Sequence, residues 1–187
     1  MNSSHNPENW NVRLGEHNRT VLEGYEETIN IENIFTSPQG HITLIKLTRV
    51  ALLHQRVIPV CLPNENMTFP VGSMCYVSGW RSTEKGESLT DVVNEAQVEL
   101  GSSELCNTSY GGIVAKYESC ASTPTGKDEV CNVENGAPIV CPGGNGTFVL
   151  AGVASSEDWC SNPGQYGVFI DIKMMLSFIE STTAPGS

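Results

Sequence analysis

An all-β fold is predicted for this chain, a sandwich or barrel stapled by disulfides, and three observations predict it. Short apolar stretches with strand character recur along the 187 residues, separated by clusters of Gly, Pro, Asn and Ser. Eighteen Gly and ten Pro make the chain loop-rich, while a hydrophobic fraction of 39% leaves enough apolar material for a packed core. Seven cysteines are well spread, none in a Cys-x-x-Cys pair and none near a His at zinc-finger spacing. They read as disulfide partners in an oxidising compartment rather than as a structural zinc site.

Strands are expected at 12–14, 28–34, 42–47, 74–77, 95–100, 138–141, 148–154 and 167–172, each a period-two or continuous apolar run. The turn signals Pro38-Gln39-Gly40, Pro142-Gly143-Gly144-Asn145-Gly146 and Asn162-Pro163-Gly164 punctuate them. A brief helix is expected at 103–108, where Ser102 or Ser103 can cap. A second runs from Lys173 to about Ser181, because Met175, Phe178 and Ile179 recur at i, i+3, i+4 with Asp171 near the start. The polar tail beyond it is expected to be mobile.

Ten Lys+Arg against 21 Asp+Glu leave a net charge of −11, with a pI near 4.7. Little basic surface is left to release counterions from nucleic acid or anionic lipid, so neither is an expected partner. The longest aliphatic run, Val50-Ala51-Leu52-Leu53, is far short of the ~18 residues of a membrane span. Sequons begin at Asn2, Asn18, Asn66, Asn107 and Asn145, a modest excess over chance that agrees with a secreted, extracellular glycoprotein. The first ten residues contain no apolar block, so no signal peptide is visible. Export features without an export signal, together with an odd cysteine, suggest a fragment or a product of altered splicing. Pairing six of seven cysteines allows many schemes that sequence alone does not rank.

Several segments, in order over nearly the whole chain, resemble the trypsin-like (chymotrypsin-fold) serine protease family. Val12-Arg13-Leu14-Gly15-Glu16-His17-Asn18 resembles a strand and the loop after it. His41-Ile42-Thr43-Leu44-Ile45-Lys46-Leu47 resembles the segment that holds the family's catalytic Asp. Ile58-Pro59-Val60-Cys61-Leu62-Pro63 looks like the link between two barrels, and Cys75-Tyr76-Val77-Ser78-Gly79-Trp80 like the start of the second. Residues 131–141, Cys-Asn-Val-Glu-Asn-Gly-Ala-Pro-Ile-Val-Cys, resemble the nucleophile segment, and Tyr166-Gly167-Val168-Phe169 the strand before the final helix. The resemblance implies a double antiparallel β-barrel with a C-terminal α-helix and an incomplete first barrel. Its expected domain covers 10–182, with a partial first barrel at 10–63, the second barrel at 64–172, the helix at 173–182, and flexible ends at 1–9 and 183–187. It also implies the disulfides Cys75–Cys141, Cys106–Cys120 and Cys131–Cys160. Cys61 is left unpaired, able to join an upstream chain.

Acyl transfer of this family's kind needs a nucleophile, a base, a group that orients the base, and N–H donors for the oxyanion. By the resemblance, the nucleophile position holds Asn135, whose carboxamide has no ionisable proton to surrender. The orienting carboxylate position holds His41, and no Ala-Ala-His-Cys segment supplies the base. His5, His17 and His54 stand in other contexts and read as surface residues. Val133 replaces the oxyanion-hole Gly, and Glu134 the Asp that pairs with a cut N-terminus. Pocket positions fall on Glu129 (or Asp128), Ser155, Ser156, Glu157 and Gly167, either a repurposed acidic cleft or solvated loop charges.

Residues 16–26 resemble the family's calcium loop, with carboxylates from Glu16 and Glu26, carbonyls from Asn18 and Val21, and Glu23 directly or through water. No cofactor is required, and calcium is the one metal implied. The expected function is a non-catalytic serine protease homologue that binds a protein partner. The alternatives are a truncated product without an independent role and a working serine-type endopeptidase using Ser119, Ser155 or Ser156.

Overall fold

The computed structural model describes residues 6–80, 90–123, 133–155 and 166–184. The chain divides into two compact units, Met1–Pro59 with Ser177–Ser187, and Val60–Leu176. This division runs through the last helix, where the sequence places a boundary ahead of it.

The first unit carries a three-stranded antiparallel sheet of β1 (Asn11–Leu14), β2 (Glu27–Thr36) and β3 (Thr43–Leu47), in that order. Alternation along β2 buries Ile29 and Ile31 while Thr28, Asn30 and Glu32 face outward. A register irregularity between Ile31 and Asn33 resets that alternation before Ile34. Residues 7–9, expected within a flexible end, instead form a 3₁₀ turn. Asn6 caps it by accepting the Glu8 N–H at 3.2 Å, and Pro7 occupies the start, where no N–H is needed.

The second unit is a closed six-stranded barrel, β4 (Met74–Gly79), β5 (Asn94–Leu100), β6 (Glu118–Ser122), β9 (Gly167–Asp171), β8 (Phe148–Ala154) and β7 (Pro138–Pro142). Closure leaves no open edge in it. Its interior is filled by alternate residues, among them Cys75, Val77, Val98, Ile139, Ala151 and Phe169. Burial of Val77, Val98 and Ile139 is complete, each worth roughly 1.5–3 kcal/mol. Cys75 on β4 is bonded to Cys141 on β7, the neighbouring strand of the barrel. A second disulfide, Cys106–Cys120, ties the short helix α1 (Ser103–Ser109) to β6. Cys131 and Cys160 lie outside the described residues, and Cys61 is a free, exposed thiol.

Among the described residues, β6 is the one strand absent from the sequence-based expectation. Its residues, Glu-Ser-Cys-Ala-Ser, contain no β-branched or aromatic side chain, and pairing with β9 and β5 supplies what propensity does not. α1 begins where expected, with the Ser102 hydroxyl accepting the Leu105 N–H at 3.1 Å. α2 (Ile172–Thr183) exceeds the expected 173–182 by one residue at each end and takes in Thr183, expected within the flexible end. Asp171 caps it by accepting the Lys173 N–H at 2.9 Å.

Candidate functional site

The segment carrying Asn135 is a tight turn at the mouth of β7. The Ala137 N–H donates to the Glu134 carbonyl at 3.0 Å, leaving Asn135 and Gly136 as its two exposed central residues. Gly136 takes φ +94, which the third position of such a turn requires and which side chains resist. Two bonds fasten the turn to β8: Gly136 N–H to the Ala154 carbonyl and Ala154 N–H to the Ala137 carbonyl, both 2.9 Å. Val133, just before the turn, is 1% exposed and belongs to the barrel core. Its side chain therefore serves packing.

Ser155 follows β8 and is bound to β9 twice. Its N–H and its hydroxyl both donate to the Val168 carbonyl, at 3.1 and 3.3 Å. Gly167 is a buried residue at the start of β9, paired with Ala121. Glu129, Asp128, Ser156 and Glu157 fall outside the described residues, as do His5 and Asn2.

All four histidines lie within the first 59 residues, so the barrel unit has none. His41 stands at the end of the β2–β3 connection. That connection is built on Ser37, 3% exposed, whose hydroxyl accepts the N–H groups of His41 and Ile42 at 3.1 and 3.2 Å. Ser37 also donates its N–H to the Ile42 carbonyl and accepts the Gly40 N–H, both at 2.8 Å. Sequence reasoning missed Ser37. Its signal is the Ser-Pro-x-Gly turn string, in which a hydroxyl substitutes for missing backbone partners. His17 and His54, expected at the surface, are half-buried, as is His41, and His17 is tied to Glu23 by an Nδ1···Oε2 contact of 3.1 Å.

The loop from Glu16 to Glu26 folds on its own acidic side chains. Glu26 accepts the N–H groups of Glu23 and Gly24 at 2.6 and 2.8 Å, and the first of these holds its carboxyl below the usual range. Glu23 is lowered too, chiefly by the Tyr25 hydroxyl beside it, although that hydroxyl makes no hydrogen bond of standard geometry. Asn18 Oδ1 accepts from the Thr20 N–H and hydroxyl at 3.0 and 2.8 Å, and the Asn18 carbonyl accepts the Val21 N–H at 3.1 Å. Glu16, its side chain 10% exposed, pairs through Oε2 with Arg13, while its buried Oε1 has no hydrogen-bond partner. Among the described residues no three His, Cys, Asp or Glu form a group that could hold a metal by themselves. A site here would depend on backbone carbonyls.

The Trypsin family model matches residues 2–179. The chain belongs to the trypsin family. Trypsin-1 of Salmo salar is 34% identical over 180 residues, covering 92% of this chain and 72% of that protein. Trypsin-2 of the same fish is 34% identical over 180 residues, with 75% of its length covered. Transmembrane protease serine 5 of Homo sapiens is 31% identical over 183 residues, 40% of its length. The closed barrel, the three-stranded sheet and the C-terminal helix agree with a trypsin-like fold whose first barrel is incomplete. No helix among the described residues is long and apolar enough to cross a membrane.

Proposed function

We propose that this trypsin-family chain is a non-catalytic homologue that binds a protein partner in an extracellular setting. One observation carries the reading: the exposed centre of the turn before β7, where the family resemblance places the nucleophile, presents the carboxamide of Asn135. A carboxamide forms no acyl-enzyme, and loss of triad members alone costs roughly 10⁴–10⁶ in turnover. His41 at the carboxylate position supports the same reading, as does the core packing of Val133 at the oxyanion position.

The relatives are named as proteases, which favours a second reading, a working serine endopeptidase. Ser155 is the described candidate nearest the segment, and its hydroxyl is already donated to a backbone carbonyl. A fluorophosphonate probe separates the two readings. The proposed function predicts no labelled serine, and immobilised chain that retains a protein from extracellular fluid. Stoichiometric labelling removed by one serine substitution favours the enzyme.

Calcium belongs to the proposal as a structural ion. The unpartnered, buried Glu16 Oε1 suits a hard cation, and Glu16, Glu26 and the carbonyls of Asn18 and Val21 would hold it. The ion would neutralise the loop's clustered carboxylates. Cys61, exposed and free, is available for a disulfide to another chain.

A further inference from the structure

A cavity of about 240 Å³ opens on the barrel unit, on residues to which the proposed loss of catalysis assigns no role. Phe69, Leu100 and Phe169 supply apolar wall, and Ser119, Asp171 and Lys173 supply the polar groups. An apolar cavity of about 150 Å³ already admits benzene, so this one has room for a single ring and a short head group. Few convergent polar groups on an apolar wall are the common make-up of a small-ligand pocket.

The polar groups define the head. Asp171 is an acceptor: one oxygen takes the Lys173 N–H at 2.9 Å, and hydrogen bonds from the Ser119 hydroxyl and the Met174 N–H also bear on its carboxylate. Lys173 spends one ammonium proton on the Met67 carbonyl at 3.0 Å and keeps two. One negative and one positive group facing the same small space favour neither a cation nor an anion. They match a neutral head that donates and accepts together. We infer that this cavity is a binding site for a small aromatic carboxamide, its NH₂ donated to Asp171 and its carbonyl accepting from Lys173. Burial is the largest influence on the Asp171 carboxyl and raises it above its ordinary value.

Phenylacetamide is the probe, titrated into the intact isotope-labelled chain while the backbone amide resonances of Leu100, Ser119 and Lys173 are followed. Saturable shifts at these positions are expected. Asp171→Asn and Lys173→Met should each weaken binding about tenfold. Benzylammonium and benzoate, which each leave one charged group unmatched, should bind more weakly than the amide. Asn caps helices as well as Asp does, so Asp171→Asn keeps the start of α2 intact. A crystal soaked with phenylacetamide asks the same question without substitution, and a ring seated against Phe69 and Phe169 supports the site. Absence of saturable shifts, unchanged affinity in both variants, equal binding of a charged analogue, or a ring found only elsewhere overturns it.

Discussion

Asn135 and Gly136 share one turn and answer to different constraints. Asn135 is exposed and its identity is free of packing, whereas Gly136 at φ +94 is fixed by backbone geometry although nothing crowds its α-carbon. Gly136→Ala should therefore cost about 1–2 kcal/mol, the penalty of a left-handed L-residue. Gly152 is constrained by space instead: a β-carbon there would collide with the Phe169 ring. Gly152→Ala should lower the melting temperature further, by displacing a buried ring at about 1–3 kcal/mol or more. Melting temperatures unchanged from the native chain in both variants would contradict both assignments. Asp171 makes a pH prediction. Its folded pKa is raised by burial, so its protonated form is the better folded one. That contribution is present below the unfolded value of about 3.9 and is lost as pH rises through the folded value. The urea midpoint of Asp171→Asn minus that of the native chain should grow from about pH 3.5 upward and level off once the folded carboxyl is fully ionised. A difference independent of pH would show that Asp171 does not titrate as described.

At the scale of elements, much was readable because alternation and turn chemistry agree. β8 announces itself by an apolar run, β5 by polar–apolar alternation, and α1 by its capping serine. β6 was not readable, since Glu118–Ser122 has no side chain that favours a strand and owes its state to neighbours far along the chain. α2 runs one residue past the expected Thr182, because Thr183 looks like tail. In the structure the Thr183 hydroxyl bonds back to the Ile179 carbonyl at 2.8 Å, within the last turn. Among the candidate positions, resemblance alone points to Asn135, whereas the core packing of Val133 and the Ser37 bonds that build the turn before His41 needed coordinates. The acidic loop carries its own prediction. Calcium should raise the melting temperature reversibly, a chelator should undo the rise, and Glu16→Gln should abolish it. At a calcium concentration of 100 times the dissociation constant the gain is about 2.7 kcal/mol. No shift in the native chain would remove the ion from the proposal.

For the molecule as a whole, charge and fold constrain function in different ways. A net charge of −11 predicts that the chain passes unretained over immobilised heparin at low salt. Retention there would reveal a basic surface that the composition does not suggest. Membership of the trypsin family fixes the scaffold, while activity depends on a few positions placed on it. On the proposed function, those positions no longer perform acyl transfer. Exposure of the purified chain to a fluorophosphonate, read by intact mass, tests this. An unmodified mass is the predicted result, and a single stoichiometric adduct on one serine, with matching peptide-bond cleavage, would contradict it.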